Sequence, residues 1–259
     1  MLNATEAARA ITAAHERGCE VVTVTVTGGP AAGLRYWSAA PGALSGALDG
    51  SLDEQARALA TQVWRTRGCA FADPLFAECH TLPEPLLIFG AGHIAVALAG
   101  LAHDLGFRVT VLDDRADFAR PARFPGGVTA RTLDLSAPLQ DLEISARTFV
   151  ILLTRAHAHD FDCLRALLRL PVQPRYIGMI GSKRRVRAAF TALLAEGIAP
   201  VQLAAVHAPL GVEIGAETPA EIAVSIAAEL IQVRRNAPAG GKSRDARVLE
   251  RMLPENAAQ

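Results

Sequence analysis

The chain has 259 residues, 26 basic against 26 acidic, and 51% of it is hydrophobic. That length suits one large or two modest domains, each able to bury its own core. The charge balance gives no footing to a nucleic-acid or polyanion binder, and no window holds the ~20 unbroken apolar residues of a membrane-spanning helix. Four scattered cysteines, Cys19, Cys69, Cys79 and Cys163, form no CxxC pair, which speaks against a zinc site and a disulfide framework. The opening "MLNATEAARAIT" lacks the basic start and apolar run of a signal peptide, so a cytoplasmic protein with reduced thiols is expected.

In chain order, "NATEAARAITAAHERG" reads as a helix, with Asn3 and Glu6 at capping-box spacing and Gly18 as its stop. "CEVVTVTVTGG" is an alternating β-branched strand ending in a glycine turn, with "LRYWS" as its neighbour. "SLDEQARALATQVWRTRG" is a second helix with Leu52, Ala56, Leu59 and Val63 on one face. "FADPLFAECH" reads as one further strand interrupted by Pro74. Residues 1–82 are thus expected to form a small α+β domain, closed by Pro83 and Pro85.

Beyond it the pattern turns to alternating strands and helices. "LLIF" and "RVTVLD" flank a helix starting near His93, and "TFVILLT" is a buried strand before a helix from about residue 160 to 170. "RYIGMIG" leads into the helix "SKRRVRAAFTALLAEG". "TPAEIAVSIAAELIQVRR" closes residues 85–236 with Thr218 as N-cap, Pro219 first and Glu221 as the acidic partner. This is the pattern of an α/β, Rossmann-like, doubly wound parallel sheet whose ligands sit at the carboxyl ends of the strands. Residues 237–259 read as a polar, mobile tail.

The motif "FGAGHIA" supplies a nucleotide-type turn: Gly90 for tightness, Gly92 for close approach of an anion, Ala91, His93 and Ile94 as its backbone, and Ala95 for close packing. Asp113 stands at the end of the next strand, where a carboxylate accepts hydrogen bonds from a ribose. His93 is read either as a donor to the ligand or as a cap for the turn. "TRAHAHD" gathers Arg155, His157, His159 and Asp160 as hydrogen-bonding loop groups rather than a metal set, because no third His or Cys completes one. In "GMIGSKRRV", Gly181, Ser182 and Lys183 open a helix whose basic first turn opposes its dipole unless an anion binds there; a solvated basic turn is the plain alternative. "HAPLGVEIGAETPAEI" is a long loop carrying His207, Glu213 and Glu217, of the length that usually serves binding. "TGGPAAG" is read as a plain turn rather than an anion nest. Winding of the sheet is expected to bring His157, Asp160, Lys183 and His207 together over the glycine turn.

Taken in order, "FGAGHIAVALAGLAHDLGFRVTVLDDR", "TRAHAHDFDCL", "YIGMIGSKRRV" and "VHAPLGVEIGAETPAEIAVSIAAELI" resemble the XdhC/CoxI family, which includes CoxF. The resemblance implies an accessory protein that binds molybdenum cofactor (molybdopterin or molybdopterin cytosine dinucleotide) and assists its maturation and insertion. It also implies an apo-molybdenum hydroxylase as partner, such as xanthine dehydrogenase or aerobic CO dehydrogenase. A sulfurtransferase would join the partners for sulfuration, and the family habit is a homodimer. By the same resemblance His93 is the histidine after GxG, and His157 with Asp160 matches an H-x-x-D loop. Gly181, Ser182 and Lys183 match a G-S-K/R turn, and His207 and Gly215 the H-x-P-x-G…G-x-x-T loop. The first eighty residues depart from the family: Ser51 stands where it carries a suspected cysteine. A serine neither bears a persulfide nor ligates as a thiolate, which leaves custody of the cofactor and removes thiol chemistry at that position.

The same turn, helix end and acid also suit a nicotinamide dinucleotide. The competing expectation is therefore an NAD(P)-dependent oxidoreductase with His157 or Lys183 as proton donor. No separate substrate domain follows the Rossmann unit to support it. A scaffold that holds no cofactor would need the glycine turn to stay empty. A non-catalytic cofactor chaperone is the leading expectation, with no catalytic residue and no metal ligand assigned.

Overall fold

The computed structural model describes residues 4–41, 43–45, 51–134, 137–155 and 157–237, with the side chains of Ser51, His157 and Ala158 outside that description. Asn3, residues 46–50 just before Ser51, and residues 238–259, which carry the expected tail, likewise lie outside it. The chain forms two compact units, Met1–Pro83 and Glu84–Gln259.

The first unit holds α1 (Ala4–Glu16), β1 (Val21–Val26), β2 (Arg35–Ser38), α2 (Ser51–Thr66), β3 (Cys69–Ala72) and β4 (Leu75–His80). Its four strands make an antiparallel sheet in the order β2-β1-β4-β3. Val22, Val24 and Val26 alternate onto the face that meets Ala56, Leu59 and Val63 of α2, so the period of two along the strand meets the helical stripe. The expected single strand around Pro74 is instead a hairpin, β3 and β4, joined through Asp73 and Pro74. Proline lacks the N–H that a ladder needs, and it falls in the turn rather than within a strand.

In the second unit β5 (Pro85–Phe89), α3 (His93–Asp104), β6 (Arg108–Asp113), a single 3₁₀ turn (Pro121–Arg123) and β7 (Thr129–Thr132) come first. They are followed by β8 (Phe149–Leu152), α4 (His157–Leu168), β9 (Tyr176–Met179), α5 (Lys183–Ala195), α6 (Pro200–Ala204) and α7 (Pro219–Arg235). All neighbours pair parallel, in the order β7-β6-β5-β8-β9. Counted within this unit the order is 3-2-1-4-5, the doubly wound arrangement expected, whose switch point lies between β5 and β8. Leu86, Ile88, Val109, Val111 and Ile151 face α3 and α7, while Leu87, Phe89, Leu112, Val150 and Leu152 face α4 and α5. Burial on both faces explains why these strands read as unbroken apolar runs.

At the amino edge of the sheet, Glu84 is buried and ion-paired with Arg175 and Arg234, both at 2.9 Å. Arg175 donates to the carbonyls of Val233 (3.1 Å) and Arg234 (2.8 Å) at the end of α7, and Arg234 donates to Leu105 O (2.8 Å) at the end of α3. Helices α3 and α7 therefore both end at the amino edge and begin at the carboxyl edge. The N-terminus of α7 is closed by the expected box: Thr218 Oγ1 accepts from Glu221 N, and Glu221 accepts from the Thr218 and Glu217 amides. No described helix is long and apolar enough to cross a membrane.

Candidate functional site

The chain leaves β5 through Gly90, whose φ of +108° is open to glycine and strained for other residues. A Cβ there would fall within 2.6 Å of the Leu153 carbonyl carbon, so Gly90 also lets the turn press against the exit of β8. Its amide donates to Leu112 O at 2.6 Å, and Leu153 N donates to Phe89 O at 2.7 Å, tying the exits of β5, β6 and β8 together.

The next residue is clamped through both its N–H and its C=O. Ala91 N donates to Asp113 Oδ2 (2.7 Å), and Arg123 donates to Ala91 O (2.9 Å) and to Phe118 O (2.8 Å). Asp113 also receives Arg115 through its backbone amide (3.0 Å) and both arms of its guanidinium (2.8 and 2.9 Å). Arg115 and Arg123 both lie over the Phe118 ring, at 3.6 and 4.6 Å from its centroid.

This corrects the expected ribose role of Asp113. At 4% exposure, with both oxygens engaged, it braces the glycine turn and presents no free lone pair to a ligand. Burial alone would push its carboxyl up, but the hydrogen bonds from Arg115 and Ala91 outweigh it and hold it below the usual carboxylate range. Such a group stabilises the fold fully above its unfolded value, and that stability is lost as pH falls through the folded value. Asp113→Ala is expected to cost about 1–3 kcal/mol at neutral pH, since it leaves the Ala91 N–H buried without its acceptor. The variant should also lose stability less steeply than the parent as pH falls below ~4. Urea midpoints measured across that range check both, and parallel curves would remove the brace.

Gly92 is the N-cap of α3 and, as glycine, brings no side chain to cap the helix end. The amides of Gly92, His93 and Ile94 thus belong to the first turn, whose N–H groups have no intrahelical acceptor. His93 is exposed in the first turn of α3, at the helix end where a ligand would arrive. Gly92 has an ordinary φ of −73°, and a Cβ on it would meet nothing within 4 Å.

The remaining candidate residues distribute differently from expectation. His157 and Asp160 belong to the first turn of α4 rather than to a free loop. Asp160 is buried and accepts from Thr154 N (3.0 Å) and Thr154 Oγ1 (2.7 Å), so it fastens the β8–α4 connection. Arg155, exposed, pairs with Asp114 at 2.8 Å. Ser182 takes the N-cap position of α5 without a side-chain cap bond, Gly181 precedes it, and Lys183 is exposed in the first turn. Gly215 is exposed at φ +72°.

His207 bridges to Gly178 on the outer side of β9, three strand spacings from β5, or ~14 Å. Its Nδ1 lies 2.8 Å from Glu229, which also accepts from Tyr176 Oη (2.7 Å) and Gly211 N (2.7 Å). Its ring packs on Tyr176 at 4.6 Å between centroids. The His157 side chain lies outside the described residues, and the expected gathering of Asp160, Lys183 and His207 over the glycine turn is not what the winding produces. Asp160 and His207 are held by internal partners, and β9 stands two strands from β5. Among the described residues no group of three or more His, Cys, Asp or Glu could hold a metal ion.

Sequence reasoning missed Arg115, Arg123 and Asp114, which build the walls of the turn. Only Arg115 left a signal, two residues after the strand-terminal acid. Of the described cysteines in this unit, Cys163 is fully buried with its thiol pushed up to about 12 by burial, with Asp160 and Asp162 adding to it. The site is a clamped glycine turn, an open helix end and a rim of arginines.

Comparison with known proteins places the second unit in a family. Residues 86–230 match the family model described as the XdhC Rossmann domain. The chain is 35% identical over 173 residues to the uncharacterized protein YqeB of Escherichia coli (strain K12), covering 66% of this chain and 31% of that one. It is 35% identical over 154 residues to a probable xanthine dehydrogenase subunit of Bacillus subtilis (strain 168), covering 59% of this chain and 44% of that one. The chain thus spans less than half the length of either relative. A solved Bacillus halodurans protein, described as a xanthine dehydrogenase, shares the fold with a TM-score of 0.67 at 24% identity, over 92% of this chain and 66% of that one. The matched residues take in all five parallel strands, the glycine turn and most of α7, more than half the chain, and by that match the protein belongs to the XdhC Rossmann-domain family.

Proposed function

We propose that the protein is an accessory factor of a molybdenum hydroxylase, holding molybdenum cofactor by its phosphate-bearing end at the open N-terminus of α3 and passing it to the apo-enzyme. Family membership and the likeness to a probable xanthine dehydrogenase subunit support the partner class. One observation carries the binding. Gly92 is needed neither for its backbone angle nor for packing, since a Cβ there would meet open space. A small residue at an uncapped helix end serves a group arriving from outside, and N–H groups at a dipole's positive end suit phosphate.

Gly92, His93 and Ile94 would hold that phosphate, with Arg155 beside them; the molybdenum centre supplies its redox chemistry later, in the hydroxylase. Hydrogen bonds and charge form a grip that can be released, and the buried, protonated Cys163 offers no thiolate to oppose release. The grip lies on the end that molybdopterin and its cytosine dinucleotide share. A nicotinamide dinucleotide would have to manage without the ribose acceptor, because Asp113 is engaged.

Native mass spectrometry of protein from a molybdenum-sufficient host tests this reading. The expected result is a bound mass of molybdopterin or its dinucleotide, together with activation of an apo-hydroxylase. A bound NAD(P) mass would transfer the protein to the oxidoreductases. Activation with no bound mass in any preparation would make it a scaffold.

A further inference from the structure

Strands β6 and β8 are the two neighbours of β5, so their exits stand about 10 Å apart, one on each side of the glycine turn. Asp114 follows the last residue of β6, and Arg155 comes three residues after the end of β8. Their side chains meet at 2.8 Å, which carries the ion pair across the carboxyl end of β5 at the switch point. Arg155 is half exposed and Asp114 a quarter exposed, so the pair faces water at the mouth of the crevice.

We propose that Asp114 is a built-in stand-in for the ligand's anion: it holds Arg155 across the crevice, and an incoming phosphate group takes Arg155 from it by exchange. This rests on the reading that the crevice at the switch point takes the ligand's phosphate. Three features favour exchange. Solvated ion pairs of this kind are weak and break readily. The Arg155 guanidinium donates one N–H to Asp114 at 2.8 Å, and to a phosphate it can donate two in parallel. Asp114, once released, keeps a second cation, because Arg115 Nε lies 3.9 Å from its carboxylate. Loading therefore leaves neither charge without a partner, and unloading reverses by re-forming the pair. A carrier needs such a return path.

Isothermal titration of the full chain with inorganic pyrophosphate at low salt tests the exchange. Asp114→Asn, which removes the competitor, is expected to bind pyrophosphate about three- to fivefold more tightly than the parent. Arg155→Ala should bind about tenfold more weakly. Adding Asp114→Asn to Arg155→Ala should give no gain, because the competitor acts only through Arg155. An equal gain in that background would overturn the exchange and reduce Asp114 to general repulsion. Gly92→Asp separates this from the underlying reading. Pyrophosphate binding that survives it, with the Asp114→Asn gain intact, leaves the exchange standing and moves the phosphate seat away from the turn. Absence of binding in both the parent and Asp114→Asn defeats both.

Discussion

Gly90→Ala is expected to destabilise the second unit by about 2–5 kcal/mol, whereas Gly92→Asp is expected to leave stability unchanged or slightly raised while abolishing the ligand. The two glycines are two residues apart in one motif, yet the structure gives them opposite duties. At Gly90 a methyl group meets two penalties. The φ of +108° disfavours any L side chain by roughly 1–2 kcal/mol. The Leu153 carbonyl occupies the space of the new Cβ, an overpacking of about 1–3 kcal/mol. Against a usual total of ~5–15 kcal/mol this is a large fraction, and the thermal midpoint should fall with it. At Gly92 the backbone is ordinary and the space is open. Aspartate is moreover a better N-cap than glycine by a few tenths of a kcal/mol, so the helix gains. A bound phosphate would instead face a carboxylate at close range, a repulsion worth about a hundredfold or more in affinity. Thermal melts and pyrophosphate titration of both variants check the pair. A destabilised Gly92→Asp protein, or one that still holds anion, would remove the argument from Gly92.

The same contrast shows what could be read from the chain beforehand. The motif GxGxxA, the strands "LLIF", "RVTVLD" and "TFVILLT", and the box at Thr218 and Glu221 are local signals, set by periodicity and capping within a few residues. Each stands in the structure where the pattern puts it. β7 was not legible: "TART" is mostly exposed and has no apolar alternation, and pairing with β6 defines it as a strand. The hairpin at Pro74 is not legible as one, because a proline inside an apolar run reads as an interruption of a single strand, and only the pairing of β3 with β4 makes it the turn between two. Least legible were the side-chain partners. Asp113 occupies the sequence position of a ribose acceptor, and only the return of Arg115 and Ala91 onto it makes it a brace. His207 looks like a loop histidine free to bind until Glu229, twenty-two residues on, comes into reach through α7. Contacts distant along the chain decide which polar residues remain available, and spacing does not encode them.

Glu84 is the sharpest case, because in sequence it is only the residue between Pro83 and Pro85 at a boundary. In the structure it is a buried carboxylate between Arg175 and Arg234, each of which also caps the C-terminus of a helix. Cations at a helix C-terminus complete carbonyls that have no intrahelical donor and oppose the negative end of the dipole. Removing the carboxylate leaves two partly buried guanidinium groups without their counter-charge while they remain tied to α3 and α7. Glu84→Ala is accordingly expected to cost about 3–5 kcal/mol, the scale for breaking a buried ion pair on one side. Glu84→Gln, which keeps the shape and loses the charge, should recover only part of it. Urea denaturation should show the loss as a lower midpoint at constant slope. The twelve residues of α3 put about 18 Å between this anchor and the open helix end at His93. Pyrophosphate affinity, measured where Glu84→Ala is still folded, should therefore match the parent. A fall in affinity without a fall in stability would mean that the amino-edge ion pairs set the position of the α3 N-terminus and belong to the binding machinery rather than to the frame.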